Sequence, residues 1–229
     1  MRLKPIELPG ALEAIQERRS FRAYLDRPVP RELLERLLNT ARWSPSSTNM
    51  QPWQVLVVSG EKKRQLDKKL LEAFENKLPM QPKVNAYMDE WTEPYKSRRH
   101  ACGVALYQAL GIGRDDKELR VEQSRRNFHA FGAPTALFLG MSSALKEGSL
   151  FDCGMFCQSL MLSAVSLGLE TCPEASLVFW PEILREFFHV GEEIHFLTGL
   201  ALGFGDYQAP VNQYKTDRAD LAEWVSFVE

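Results

Sequence analysis

The stretch LFDCGMFCQSLMLSAVSLGL, residues 150–169, is the most apolar part of the chain and limits the folds that the sequence can form. Polar side chains interrupt it at Asp152, Gln158, Ser159, Ser163 and Ser166. A bilayer interior disfavours such groups, whereas a protein core can pair them. The stretch therefore predicts a helix over 149–168 that is buried in a soluble core, and we expect no membrane partner.

Elements of alternating type surround this helix. Apolar, β-branched runs predict strands at Gln54–Val58, which we expect to be central in the sheet, and at Thr135–Leu139 and His195–Leu202. The remaining pattern predicts helices over residues 30–43, 61–75, 95–110, 115–131 and 181–188. The connections between strands are long and irregular. This favours an α+β sandwich over a regular doubly wound sheet.

Composition and charge exclude several classes of protein. The chain has 229 residues, 45% hydrophobic and 25% charged, which is typical of a globular protein with one large or two small domains. The formal net charge is -2, with no basic excess, so we expect no nucleic-acid partner. Any anion that the protein binds must be met by a local concentration of cations.

Cysteine usage and the first residues bear on the compartment. Four cysteines without a C-x-x-C pair do not form a disulfide framework, which fits a reducing environment. Pro5, Glu7 and Pro9 interrupt any apolar core of a signal peptide, so we expect a cytoplasmic protein. Cys153 and Cys157 lie one helical turn apart, but no second pair of ligands accompanies them, and we expect no metal.

Two polar runs are candidates for a binding site. RRSFR, residues 18–22, places three guanidinium groups and a hydroxyl at the end of a short helix, where they are able to grip a phosphate. The alternative is a solvated basic surface. PSSTNMQPW, residues 45–53, gathers hydroxyl and amide groups just before a strand. Its alternative is an ordinary loop between a helix and a strand.

In this order and at this spacing, the two runs resemble the motifs of the flavin-dependent nitroreductase family. The likeness continues at residues 168–174, 203–210 and Arg218, and it covers nearly the whole chain. The resemblance implies one domain over 1–229, with a central, mostly antiparallel sheet flanked by helices and a C-terminal arm that reaches the partner subunit. It also implies a homodimer with FMN sites at the interface.

The resemblance assigns roles to particular residues. Arg18, Arg19 and Ser20 match the positions that hold the FMN phosphate and ribityl chain, and Arg22 matches the position near flavin N1. On the C-terminal arm, Lys215 and Arg218 would close on the phosphate, although Thr216 stands where some relatives have a lysine. The remaining cofactor positions are Pro45, Ser46, Ser47 and Asn49, which would serve the other subunit, and Pro173 and Glu174, which pass beside the flavin ring.

The implied reaction passes a hydride from NADH or NADPH through FMN to a nitroaromatic, quinone or similar conjugated acceptor, by a ping-pong mechanism and without a side-chain nucleophile. A relative that reduces activated alkenes, one that dehalogenates aromatic rings, and a non-enzymatic FMN-binding protein remain as alternatives. Prolines at 79, 82 and 94 mark a long loop or lid over residues 76–95. The resemblance implies that the lid over the flavin comes from residues 76–131, where the family varies most. Tyr95, Arg98, Arg99, Cys102 and Tyr107 would face substrate there, or pack.

Overall fold

A computed structural model describes residues 10–84 and 88–229 of the chain. Its helices and strands alternate as the sequence pattern predicts. The helices are α1 (Ala11–Glu17), α2 (Arg31–Ala41), α3 (Gly60–Glu75), α4 (Tyr95–Ala109), α5 (Lys117–Arg125), α6 (Gly148–Ser166) and α7 (Pro181–Phe188). The strands are β1 (Trp53–Ser59), β2 (Thr135–Ser142), β3 (Glu170–Glu174) and β4 (Ile194–Gly203).

The four strands form one sheet in the order β1-β2-β4-β3, and every neighbouring pair is antiparallel. This confirms the predicted α+β fold with an antiparallel sheet. The prediction that residues 54–58 form a central strand is wrong, because β1 lies at an edge of the sheet and, among the described residues, pairs only with β2. A short apolar run has the same composition at either place, and here Val57 is exposed.

Alternate residues of the sheet pack into two cores. Ala136 and Phe138 of β2 face one side, where they meet α3, α7 and the turn at Arg126–Gly132. Leu137 and Leu139 face the other side and pack with α2 and α6. This period of two is the reason that β2 is buried along nearly its whole length.

The helix predicted over 115–131 is shorter in the structure. α5 ends at Arg125, and the chain continues as the turn Arg126–Gly132, in which Ala130 and Phe131 adopt φ of 51° and 52°. Positive φ at these two positions breaks the helical path. The turn directs Phe128 and Phe131 into the core, at 4% and 3% exposure. Core packing therefore outweighs the local helical pattern here.

α6 is the one described helix that is long and apolar enough to cross a membrane by length and composition. In the structure it packs on α1, α2 and the sheet, and Phe156, Leu160 and Ala164 are buried there. It ends before Gly168, whose φ of +70° suits the reversal into β3. The predicted core helix is thus present, with a face that still includes exposed Phe151.

Candidate functional site

The RRSFR segment is pinned between β3 and the turn that follows β4. Ser20 forms a parallel bridge with Thr171, and the Phe21 N–H donates to the Thr171 carbonyl at 3.0 Å. On the other side, the Leu25 N–H donates to the Phe204 carbonyl at 2.9 Å. Phe21 is only 1% exposed, so it anchors the segment in the interior. The segment is therefore part of the fold, which argues against a merely solvated basic surface.

Arg22 is held through its backbone and through its side chain. Its N–H donates to Asn212 Oδ1 at 2.7 Å, and its carbonyl accepts from Arg126 Nη2 at 3.1 Å. Its Nη1 donates to Tyr214 Oη at 3.2 Å. Burial opposes the charged form, but Cys172, Tyr214, Cys102 and Glu174 together raise the Arg22 pKa above its ordinary value. A permanent cation is fixed at this point.

A cavity of about 320 Å³ lies beside Arg22. One side is formed by the end of β3 and the residues that follow it, and the other by α5, the following turn and α3. Aromatic rings and a few polar groups share the lining, as is usual in sites for planar ligands. The lining residues include Arg22, Phe74, Ser124, Asn127, Phe128, Phe131, Cys172, Pro173, Glu174, Ala175, Ser176 and Phe179.

Glu174 places a carboxyl group in the lining of this cavity. The residue is 5% exposed, and neither carboxyl oxygen has a hydrogen-bond partner among the described residues. Burial raises the Glu174 pKa well above its ordinary value, while Arg22 and Lys63 oppose that rise and Asp67 adds to it. Burial therefore favours the protonated form of this carboxyl, which lies in the same cavity lining as the Arg22 cation.

The other basic residues of the predicted site lie in different settings. The Arg19 guanidinium lies 5.1 Å from the Phe21 ring centre and 6.0 Å from that of Tyr207. Lys215 Nζ lies 3.5 Å from a carboxylate oxygen of Glu17, which brings the C-terminal arm to the end of α1, next to Arg18. The arm thus reaches the neighbourhood that the phosphate assignment requires.

Arg218 contacts its own loop. Its Nη1 donates to the carbonyls of Thr216 and Asp217 and to the Thr216 hydroxyl, each at 2.9 Å. Among the described residues, no hydrogen bond or salt bridge joins it to residues 18–22. Lys215 therefore contacts the end of α1 through Glu17, whereas the contacts of Arg218 are within its own loop.

The serine-rich loop has a defined backbone. The Ser47 N–H donates to Asp152 Oδ1 of α6 at 3.2 Å, and the Ser46 hydroxyl accepts from the Gln51 N–H at 2.9 Å. Thr48 and Asn49 adopt φ of 49° and 58°. Pro45, Ser47 and Asn49 are exposed, and within the described part of one chain none of the hydrogen bonds joins them to residues 18–22.

The predicted lid is only partly described, since residues 85–87 lie outside the described residues. α4 has no buried residue and contacts the turn at Pro210–Asn212. Its Arg98 donates to Glu223 at 2.9 Å, and its Arg99 lies 4.8 Å from the Trp91 ring centre. Tyr95 is exposed, and Tyr107 is covered by the Arg120 guanidinium at 4.2 Å.

Three residues that shape the site are not predicted from the sequence. Asn212 and Tyr214, which fix Arg22, are isolated polar residues in the arm, and Arg126 is an ordinary residue of a charged helix end. No motif marks them, because their partners are distant in the sequence. Burial raises the pKa of the two α6 thiols, Cys153 and Cys157, to about 11. Within residues 10–84 and 88–229, no group of three or more His, Cys, Asp or Glu side chains is placed to hold a metal ion.

Comparisons with known proteins agree with this architecture. The chain is 34% identical over 204 residues to a 4-nitrobenzoate reductase of Pseudomonas putida, covering 89% of each chain. The crystal structure of an FMN- and NADPH-dependent nitroreductase, NfnB, from a Sphigopyxis strain superposes with a TM-score of 0.93 at 38% identity, covering 96% of this chain and 100% of that one.

A second NfnB, from Mycobacterium smegmatis and solved in complex with NADPH, gives a TM-score of 0.90 at 31% identity, covering 96% of this chain and 98% of that one. The family model described as the nitroreductase family matches residues 15–205, which span most of the chain, including the segment around Arg22 and the whole sheet. The chain belongs to the nitroreductase family.

Proposed function

We propose that the protein is an FMN-dependent oxidoreductase that uses NADPH or NADH to reduce nitroaromatic compounds, and quinones or similar conjugated acceptors, by a ping-pong mechanism. The observation that carries the proposal is Arg22, a permanent cation fixed by Asn212 and Tyr214 at the edge of an aromatic-lined cavity. The relatives support it, since one is named for 4-nitrobenzoate and two are FMN-dependent enzymes.

The residues present fit FMN. A flavin phosphate needs local cations in a chain whose net charge is -2, and Arg18 and Lys215 would supply them at the end of α1. The Ser20 hydroxyl would add a neutral hydrogen-bond donor. A flavin ring needs apolar walls and a few polar groups, and the cavity beside Arg22 provides both. The backbone at Pro173 and Glu174 would run beside the ring. Arg19 and Arg218 remain phosphate candidates of lower structural support.

When bound, FMN would supply the hydride chemistry by accepting two electrons from the nicotinamide and giving them to the acceptor. The chain's own residues would supply a charge and a proton beside the flavin ring. Arg22 would place a positive charge where negative charge develops on the ring, and its burial strengthens that interaction. The Glu174 carboxyl would hold a proton at Oε1 or Oε2 within the same cavity. Nitro-group reduction consumes protons as well as electrons.

We propose a homodimer in which Pro45, Ser46, Ser47 and Asn49 serve the flavin of the partner subunit. Large apolar side chains on one chain support it, because a monomer would leave them in water. Phe151 of α6 is 74% exposed, and it lies on the same helix as Asp152, which anchors the serine-rich loop. Other exposed apolar side chains are Leu12, Ile15, Trp43, Trp224 and Phe227.

The sheet and helix α4 support the proposed domain organisation. One sheet with a core on each face supports a single domain over 1–229, and the unburied α4 supports a lid within 76–131. Substrate would meet Tyr95, Arg99 and Tyr107 on that helix. A soluble, cytoplasmic enzyme with no metal and no nucleic-acid partner stays our prediction from the sequence.

The proposal is tested with the purified protein under anaerobic conditions. We expect a yellow protein whose chromophore is FMN, whose absorbance is bleached by NADPH or NADH, and whose colour returns when 4-nitrobenzoate is added. Steady-state rates should give parallel double-reciprocal lines for donor and acceptor. Turnover with activated alkenes or halogenated phenols alone would favour the alternative reactions. Bound FMN that neither nicotinamide reduces would indicate a non-enzymatic binding protein.

A further inference from the structure

Glu170, the first residue of β3, is a buried acid that the proposed chemistry does not use. It is 6% exposed, and its Oε1 accepts a short hydrogen bond from the Tyr207 hydroxyl. Its Oε2 has no partner among the described residues. Tyr207 is 56% exposed, so the partner of this buried carboxyl group itself reaches solvent.

Arg19 faces the same cluster. Its guanidinium lies within 5.1 Å of the Phe21 ring centre and 6.0 Å of the Tyr207 ring centre, and the two rings meet edge to face at 5.0 Å. The Arg19 Nε is buried and has no hydrogen-bond partner among the described residues. A side chain stacked on two rings is poorly placed to grip a phosphate in addition.

We propose that Glu170 is a positioning residue, which acts through Tyr207 and Arg19 to fix the RRSFR segment so that Arg18 and Ser20 are aligned to receive a phosphate group. The inference rests on the proposed function, because FMN supplies that phosphate. It gives Arg19 a different role from its neighbour, Arg18. Arg19 ties the segment down, and Arg18 stays free for the ligand.

The contacts form a short and continuous path. Glu170 precedes Thr171, whose carbonyl accepts from the Phe21 N–H and whose backbone bridges Ser20. Gly205 packs tightly against both Phe21 and Glu170. A Cβ atom added at Gly205 would lie 2.6 Å from the Phe21 ring and 2.8 Å from Glu170 Cγ. The Glu170 carboxyl is also connected to Phe21 through Tyr207, whose hydroxyl donates to the carboxyl and whose ring meets the Phe21 ring edge to face.

Burial and nearby charges together set the ionisation of Glu170. Burial raises the Glu170 pKa to about 7, and Tyr207, Arg19 and Arg18 favour ionisation while Glu17 opposes it. The carboxyl is thus partly ionised near neutral pH, with Arg19 as the nearby cation that the rings hold in place.

The experiment compares two ligands that differ only in the phosphate. The full-length protein is stripped of flavin, and the dissociation constants of FMN and riboflavin are measured by quenching of flavin fluorescence. Wild type is compared with Tyr207→Phe, which keeps the ring and removes the hydroxyl, with Glu170→Gln, and with the double variant. Thermal melts show whether each variant folds. We expect Tyr207→Phe to fold, because Tyr207 is half-exposed.

We expect Tyr207→Phe to reduce the preference for FMN over riboflavin by about fivefold, the effect of one lost hydrogen bond. Glu170→Gln keeps an oxygen that accepts from the Tyr207 hydroxyl but removes the ionised carboxylate, so its loss should be smaller. The double variant should lose no more than Tyr207→Phe alone, because the bond between the two side chains is already gone. An unchanged preference, or an equal loss of affinity for both flavins, would overturn the inference while leaving the proposed function intact. A wild type that binds neither flavin would overturn both.

Discussion

Asn212 and Arg22 are 190 residues apart in the sequence, yet the Asn212 side-chain oxygen accepts the Arg22 backbone N–H at 2.7 Å. The Asn212 amide nitrogen donates to the carbonyls of Ala23 and Asp206, each at 2.8 Å. One side chain of 1% exposure therefore joins the basic segment, the turn after β4 and the C-terminal arm. The position of the site cation depends on this buried amide.

The first prediction is that Asn212→Ala destabilises the protein by about 3 kcal/mol, since it removes three buried hydrogen bonds and leaves their backbone partners unpaired. Urea unfolding followed by circular dichroism measures the change. Gln213→Ala is the matched control, because Gln213 is exposed and makes one amide contact at 3.3 Å. Equal stability of the two variants would show that the Asn212 bonds contribute nothing.

The second prediction concerns the charge of Arg22. Arg22→Met should still bind FMN, but the bound flavin should be harder to reduce, because the negative charge of the reduced ring loses its counter-charge. A loss of 1–2 kcal/mol corresponds to a midpoint potential lower by about 20–40 mV. Arg22→Lys should recover part of the shift. A potential that does not move in Arg22→Met would remove Arg22 from the flavin site.

A structural feature is predictable from the sequence when the residues that form it are close together in the chain. α7 is predicted at both ends, because Pro181 favours a first helical turn and the periodic pattern stops at Phe188. The edge position of Trp53–Ser59 is not predictable, since strand order depends on pairing with residues some eighty positions away. The place of Arg22 in the site is predicted from the RRSFR motif. Asn212 does not, because nothing near it in the sequence indicates that Arg22 is its partner.

The third prediction is that Arg18→Ala lowers FMN affinity by about ten- to hundredfold, through loss of a charge-assisted contact worth roughly 1.5–3 kcal/mol. Riboflavin affinity should stay within about twofold, as the change affects the phosphate end alone. Fluorescence titration with both flavins supplies the measurement. Arg36→Ala, on the outer face of α2, serves as a control for the loss of one positive charge. An FMN affinity equal to that of this control would contradict the phosphate assignment.

The fourth prediction is a pH dependence of stability from Glu170. Its pKa in the folded chain is about 7, above the ordinary 4.5, so folding favours the protonated form. This contribution is fully present below pH 4.5 and is lost as the pH rises to 7, by up to about 3 kcal/mol. Glu170→Gln should remove that dependence.

Urea midpoints of wild type and Glu170→Gln at pH 4.5 and pH 8 give the comparison. The difference in stability between the two proteins should shift in favour of the variant at the higher pH. Other titrating groups are common to both proteins and cancel in the difference. A constant difference across this range would mean that the Glu170 carboxyl ionises in the folded chain as readily as in the unfolded one.

The last prediction tests the shared site. If Pro45, Ser46, Ser47 and Asn49 serve the partner's flavin while Arg18–Arg22 serve their own, two defective chains should complement each other. One variant is Arg18→Ala, and the other combines Ser46→Ala, Ser47→Ala and Asn49→Ala. Each variant refolded alone is the control, and each should bind FMN poorly because both of its sites carry one lesion.

When the two variants are unfolded together and refolded as an equal mixture, random pairing places about half of the chains in heterodimers. In a heterodimer, one site combines an intact Arg18 with an intact serine-rich loop from the partner subunit. The other site contains both the Arg18→Ala substitution and the mutated loop. About a quarter of all sites should therefore regain FMN and turnover. Differently tagged chains show whether heterodimers form. Heterodimers without recovered FMN binding would mean that both motifs serve one subunit, and the shared-site proposal would then be wrong.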